Sequence, residues 1–168
     1  MAVSERAEFP RAEVEDAFRH YLTCGIVNED WDAWARCFRP DVEYHEHQLG
    51  FMQGRDAVLA WIAPLMEQFP EIYNSVAWYA IDRGRVVFDA NNRRDNPEPG
   101  GPPIDFAGVT ILQYAGDGMF SREDDWWDMP GGMRAAKEYA DLAALHDPDH
   151  ARKRTRLGRT LPFGLGSS

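Results

Sequence analysis

The sequence is poor in several features that would announce a function. It has two cysteines, Cys24 and Cys37, in a chain of 168 residues. Both fall on apolar faces of stretches that read as helical, so both are expected to be buried small hydrophobes. A redox or nucleophilic role would need a polarising neighbour, and none is recognisable. Long apolar runs are also missing. The longest, such as VLAWIAPLM, cannot span a bilayer, so no membrane segment is expected. The opening MAVSERAEFP has no apolar core and no cleavage-like site. No secretory signal is read in it, and the expected location is cytoplasmic. There is no Gly-rich phosphate loop, because GDG and MPGG are turns rather than helix openers. No Ser–His–acid order stands in a useful context either. No cofactor is expected.

Positive charge is scarce and unevenly placed. The net charge is −10, from 18 basic and 28 acidic residues. All of the acids precede residue 151, so the first 150 residues carry 13 − 28 = −15 and the rest carries +5. So acidic a body repels phosphate backbones, which argues against nucleic-acid binding. The ending ARKRTRLGRTLPFGLGSS is basic and closes Gly/Ser-rich. Residues 147–168 are expected to form a solvated or subunit-docking tail. Residues 1–10 are expected to be a flexible lead.

What remains has the composition of one soluble domain with a sizeable core. Val14, Phe18, Tyr21, Leu22 and Gly25 recur at three- and four-residue spacings, which predicts an amphipathic helix over 11–27. Asp30 is a good N-cap for a short second helix that stops before Pro40. Residues 41–49 alternate, with Val42, Tyr44 and Glu46 on one face and Glu43, His45 and His47 on the other. GFMQG reads as a turn, and 55–69 as a third helix that Pro64 interrupts. Strands are predicted at 75–81, 85–94, 104–115 and 119–129, with turns at DRGR and GDG, and a last helix over 133–145. Helices segregated from a meandering antiparallel sheet mean α+β, here a curved sheet wrapped around a long helix to leave an apolar mouth.

The stretch SREDDWWDM carries the chemistry. Alternation puts Ser121, Glu123, Asp125, Trp127 and Met129 on one face, and Arg122, Asp124, Trp126 and Asp128 on the other. Each face has a tryptophan, so parity alone does not choose the inner one. His45 and His47 share a strand face, but two ligands without a third and an open position do not make a metal site. No metal is expected.

Four passages, NEDWDAWARCFRPDVEYHE, GRDAVLAWI, DRGRVVF and GDGMFSREDDWWDM, taken in that order, resemble the SnoaL-like group of the NTF2-like superfamily over residues 12–145. That group includes polyketide cyclases, limonene-epoxide hydrolase and ketosteroid isomerase. The resemblance implies a cone-shaped domain, residues 11–146, with a pocket for a hydrophobic small molecule. By position it implies that Asp125 is the acid/base aspartate of the last strand and therefore faces inward, with Trp127 and Met129 as apolar walls. The isomerase's general base maps onto Glu46, and its helix-one tyrosine onto Tyr21. Its second oxyanion acid falls near Thr110, which cannot do that job. The epoxide hydrolase's Arg and Asp fall near Asn91 and Arg93, so the arginine is displaced and the second aspartate is missing.

The expected site is therefore Asp125 and Glu46 as catalytic carboxylates, lined by Tyr21, Tyr44, Asn91, Arg93 and Trp127. An aspartate among apolar walls loses solvation and its pKa rises toward working pH, which suits a general acid/base. A neighbouring Arg93 would pull it back down. Trp34, Trp61 and Trp78 are further wall candidates. The implied activity is cyclisation, isomerisation, dehydration or epoxide opening, with a homodimer formed through the exposed sheet face. The alternative is a non-catalytic ligand-binding or assembly module on the same fold.

Overall fold

The structure, a computed structural model, describes residues 9–159. Residues 1–8 of the expected flexible lead and 160–168 of the expected tail lie outside the described residues. Helix α1 (Arg11–Leu22) buries Val14, Ala17, Phe18, Tyr21 and Leu22, the face that the spacing predicts. The helix does not run on unchanged to residue 27. It passes into a π-helical turn, Thr23–Val27. Gly25 makes room there: a β-carbon on it would stand 2.5 Å from Trp34 Cδ1. Asp30 caps α2 (Trp31–Arg36) by accepting from the Ala33 N–H at 2.8 Å.

Strand β1 (Phe38–Glu46) begins earlier than alternation predicts. Pro40 sits inside it, where the register shifts between Phe38 and Glu43 and a missing N–H is tolerated. The GFMQG turn is instead a short strand, β2 (Gly50–Gln53), paired with β1. Helix α3 (Arg55–Gln68) follows, with Pro64 inside it and Val58 and Ile62 buried.

The larger correction concerns the strands that follow. Each of three predicted strands is broken in two. The first becomes β3 (Tyr73–Ser75) and β4 (Tyr79–Asp82), and the second β5 (Arg85–Asp89) and β6 (Asn91–Arg94). The third becomes β7 (Ile104–Phe106) and β8 (Gly108–Tyr114), and β9 (Phe120–Trp127) stays whole. The halves join different sheets, ordered β2-β1-β9-β8-β5-β4 and β3-β6-β7. All pairings are antiparallel except β1 with β9. The bend lies where Ala90 N–H donates to the Gly108 carbonyl at 3.0 Å. The chains cross so closely that a β-carbon on Gly108 would lie 2.7 Å from Ala90 O. Two-residue alternation survives such a bend, so the sequence pattern does not reveal it.

Helix α4 (Met129–His146) starts four residues earlier than predicted, with Pro130 in its first turn. It packs Ala135 and Tyr139 against Ile104 of the small sheet. The result is an α+β fold, a curved and mostly antiparallel sheet wrapped around α1. No helix among the described residues is long and apolar enough to cross a membrane.

The described part of the basic ending is docked on its own chain rather than free. After α5 (His150–Lys153), Arg154, Arg156 and Arg159 donate to Glu29 at 2.8, 2.7 and 3.2 Å. Gly158 N–H donates to the Tyr73 hydroxyl, which donates to Asp95. Burial pushes the Glu29 carboxyl up, but the hydrogen bond and charge of Arg156, with Arg154 and Arg159, outweigh it and hold the group below its usual range. A depressed carboxylate stabilises the fold above its unfolded pKa, about 4.3 for Glu, and loses that contribution as pH falls through the lowered folded value. Glu29→Gln is therefore expected to cost about 2 kcal/mol at neutral pH. The difference from wild type should shrink in acid, and thermal melts at two pH values measure it.

Candidate active site

Strand β9 forms the floor of the site. Its inner face presents Glu123, Asp125 and Trp127 in alternation. Across β8 and β1, Asp125 stands between Thr110 and Glu46, and Glu123 between Leu112 and Tyr44. Residues paired in register share a sheet face, so these rows place three carboxyls together on the concave side. Glu123 is 1% exposed and Glu46 3%, while Asp125 is only half-buried.

Hydroxyl groups, not cations, hold the central pair. Tyr21 Oη donates across both Glu123 oxygens, at 2.9 and 3.0 Å. Tyr44 Oη donates to Asp125 Oδ2, and Thr110 Oγ1 donates to Asp125 Oδ1. Glu123 and Asp125 lie side by side on the same strand face, close enough for each to shift the other's titration. Burial, then the neighbouring Asp125 charge, pushes the Glu123 carboxyl well above its usual range. Burial also raises Asp125, against the lowering hydrogen bonds from Thr110, Tyr44 and Glu123. Of the two carboxyls, Glu123 is the more strongly raised. Such an ordering favours the proton on Glu123, the deeper group, and the negative charge on Asp125, which has the hydroxyl donors. Tyr21 and Tyr44 are pushed well above the ordinary phenol value by burial first and carboxylate charge second, so both remain donors. Glu46 is held separately. Trp127 Nε1 donates to its Oε1 at 2.8 Å and Gln48 N–H to its Oε2 at 3.2 Å, and burial raises its pKa.

These groups open into a cavity of about 420 Å³. Trp34, Trp61, Phe88, Phe106 and Trp127 give it apolar walls, and Leu49, Phe69 and Met133 are exposed at its lining. Of the expected residues, Asp125, Glu46, Tyr21, Tyr44 and Trp127 all line it. Asn91 and Arg93 do not. Asn91 is tied to Asp89, and Arg93 pairs with Asp105 at 2.5 Å and donates to the Gly158 carbonyl. Arg93 therefore does not lower the pKa of Asp125. Their neighbours Asn92 and Arg94 line the cavity instead. Counting inward alternation from buried Phe88, through Ala90, reaches Asn92 and Arg94. Trp78 is half exposed and Met129 is exposed where α4 begins, and neither lines the cavity.

Two participants escape the sequence reading. Glu123 shares the predicted face with Asp125, and that parity is the signal that finds it. Thr110, unable to serve as an acid, serves as a donor.

Among the described residues, two groups have three potential metal ligands each. His20, Cys24 and Cys37 form one, but burial pushes the Cys37 thiol up to about 12, so the thiolate is disfavoured. His45, His47 and Asp124 form the other, on the outer sheet face. There Arg122 already occupies both Asp124 oxygens, at 2.6 and 2.9 Å.

The model of the SnoaL-like domain family matches residues 18–123. The chain belongs to the SnoaL-like family. The family includes cofactor-independent cyclases, isomerases and epoxide hydrolases. No curated protein sequence matches this SnoaL-like chain. Solved structures do. One from Jannaschia sp. CCS1, named a SnoaL-like polyketide cyclase, is 22% identical, with a TM-score of 0.60 over 80% of this chain and 96% of that one. An LEH-like epoxide hydrolase from M. tuberculosis is 14% identical, with a TM-score of 0.61 over 80% and 96%. TerC, co-crystallised with polyporic acid, is 15% identical, with a TM-score of 0.60 over 74% and 98%. At these identities the likeness is one of fold.

Proposed function

We propose that this SnoaL-like protein is a cofactor-independent enzyme that moves a proton on a hydrophobic small molecule. The observation that carries the reading is Asp125, half-buried on the cavity wall and held by two hydroxyls, with the buried Glu123 beside it; on this reading the two carboxyls share one proton, with the charge on Asp125. A carboxylate in that setting is a stronger base than one in water, because burial raises its pKa toward working pH. Asp125 would take a proton from a carbon beside a carbonyl or from a hydroxyl. Glu46, whose pKa is also raised, would return a proton from the adjoining strand. Tyr44 and Thr110 are positioning residues that favour the negative charge on Asp125, while Tyr21 holds the Glu123 carboxyl in place. Cyclisation, isomerisation, dehydration and epoxide opening all need such a transfer. The family and the small organic ligand in the TerC structure support the class.

The cavity also bears on the alternative. A binding or assembly module needs no inward carboxylates, and tryptophans could fill its centre. Here the tryptophans stand around an open space with Asp125 beside it. A homodimer through the outer sheet face, in the cytoplasm, belongs to the same proposal.

The test is deuterium exchange. In D₂O, wild-type protein is expected to speed deuterium uptake beside the carbonyl in at least one of a panel of cyclic and aryl ketones. Asp125→Asn should not. No acceleration by wild type across the panel, or equal acceleration by the variant, would overturn the reading.

A further inference from the structure

Arg94 ends β6 on the wall formed by the small sheet. It is 3% exposed and is the one cation among the described residues that line the cavity. Buried arginines normally satisfy every edge of the guanidinium. This one does not. Its Nε donates to Glu71 Oε1 at 3.2 Å, and Phe106 and Tyr139 pack on the group with ring centroids 5.7 and 5.8 Å away. Its Nη1 makes no hydrogen bond among the described residues. The neighbouring Asp95 does not supply one, because it takes the Tyr73 hydroxyl and the Leu157 N–H.

We propose that the ligand carries an acidic oxygen, a carboxylate or an ionised enol, and that this oxygen seats on the incompletely paired Arg94 guanidinium. The proposal rests on the reading of the cavity as a small-molecule site, and it adds the ligand's charge. The remaining wall cannot bind an anion well, since its ionisable groups are Glu46, Glu123 and Asp125 together with the hydroxyls of Tyr21 and Tyr44. The guanidinium is also suited to the task. Its charge survives burial, two aromatic rings stand close to it, and it keeps donor capacity that the protein's own groups do not use. Glu71 balances part of the charge and fixes the fork, so the site is built before the ligand arrives. A ligand seated this way would reach from the small sheet toward Asp125 on the large one. Charge at one end would then orient the reacting centre at the other.

The experiment is a calorimetric comparison of matched probes. 2-Naphthoate is paired with 2-naphthamide, and 2-hydroxy-1,4-naphthoquinone, ionised at neutral pH, with its methyl ether. Wild type is expected to prefer the anion at least tenfold in one pair, and the pair that shows it tells carboxylate from enolate. Arg94→Met is expected to bring the preference within about twofold. The wild-type comparison stands even if that variant fails to fold. Asp125→Asn should keep the preference, so loss of proton transfer and loss of anion recognition are read separately. Neutral probes binding wild type as well as the anions, no binding by either anion, or an anion preference that survives in folded Arg94→Met would each overturn the proposal.

Discussion

Asp125→Asn is expected to lower kcat by about 10²–10⁴, with affinity for a bound ligand changed only a few-fold. Asparagine has the shape of aspartate and cannot take up a proton at working pH. Its carbonyl can still accept from Thr110 or Tyr44, and the other hydroxyl can turn to accept from the new amide, so the floor of the cavity should survive. The loss therefore falls on the chemical step rather than on binding. Wild type should also show an acid limb in its rate profile, because activity needs Asp125 ionised. That limb is expected above about pH 3.9, the ordinary aspartate value, since burial raises the group. Steady-state kinetics across pH, with thermal melts as a control for folding, measure both effects. A variant with unchanged kcat would remove Asp125 from the mechanism.

The second large effect concerns stability. Glu123→Ala is expected to cost about 3 kcal/mol, because it strips the Tyr21 hydroxyl of its buried partner and leaves a void. Glu123→Gln should behave very differently. In wild type the folded state keeps Glu123 protonated after an unfolded chain has ionised it. A raised folded pKa means that its contribution is fully present below about pH 4.3 and declines as pH climbs toward the folded value. Glutamine cannot titrate, so the Gln variant should escape that decline and overtake wild type in stability as pH rises. Urea unfolding at pH 4, 6 and 8 separates the cases. A constant difference between wild type and Glu123→Gln across that range would mean that Glu123 does not carry the proton.

The sequence makes some of this site legible and hides the rest for physical reasons. The inner face of α1 is plain, because a core helix must repeat apolar groups every three to four residues, and Tyr21 falls on that stripe. Glu46 and Asp125 are also visible, since alternation on β1 and β9 sorts the faces and the family resemblance chooses the inner one. The strand breaks are not visible. Ala90 and Gly108 keep the alternation in phase while the chain changes sheets. Asn91 and Arg93 follow family position, but inward parity running from Phe88 belongs to Asn92 and Arg94. Partners distant in sequence are hidden too. Nothing local marks Glu29 as the acceptor of three arginines more than a hundred residues away, so the basic ending reads as free when its described part is docked. Glu123 stays unnoticed for another reason. A carboxylate in an acidic run looks solvated, and its burial depends on Tyr21 arriving from α1.

The central claim is that Glu123 and Asp125 share one proton, with the charge left on Asp125. Carbon-13 NMR of the side-chain carboxyls, labelled in wild type and assigned with Asp125→Asn and Glu123→Gln, observes it directly across a pH titration. The account predicts two coupled steps. Asp125 should ionise in the first, above the ordinary aspartate range, while Glu123 shows no ionisation through the region near pH 4.3 where an exposed glutamate titrates. Two independent transitions at ordinary carboxylate values would contradict the shared proton, and with it the base proposed for this cavity.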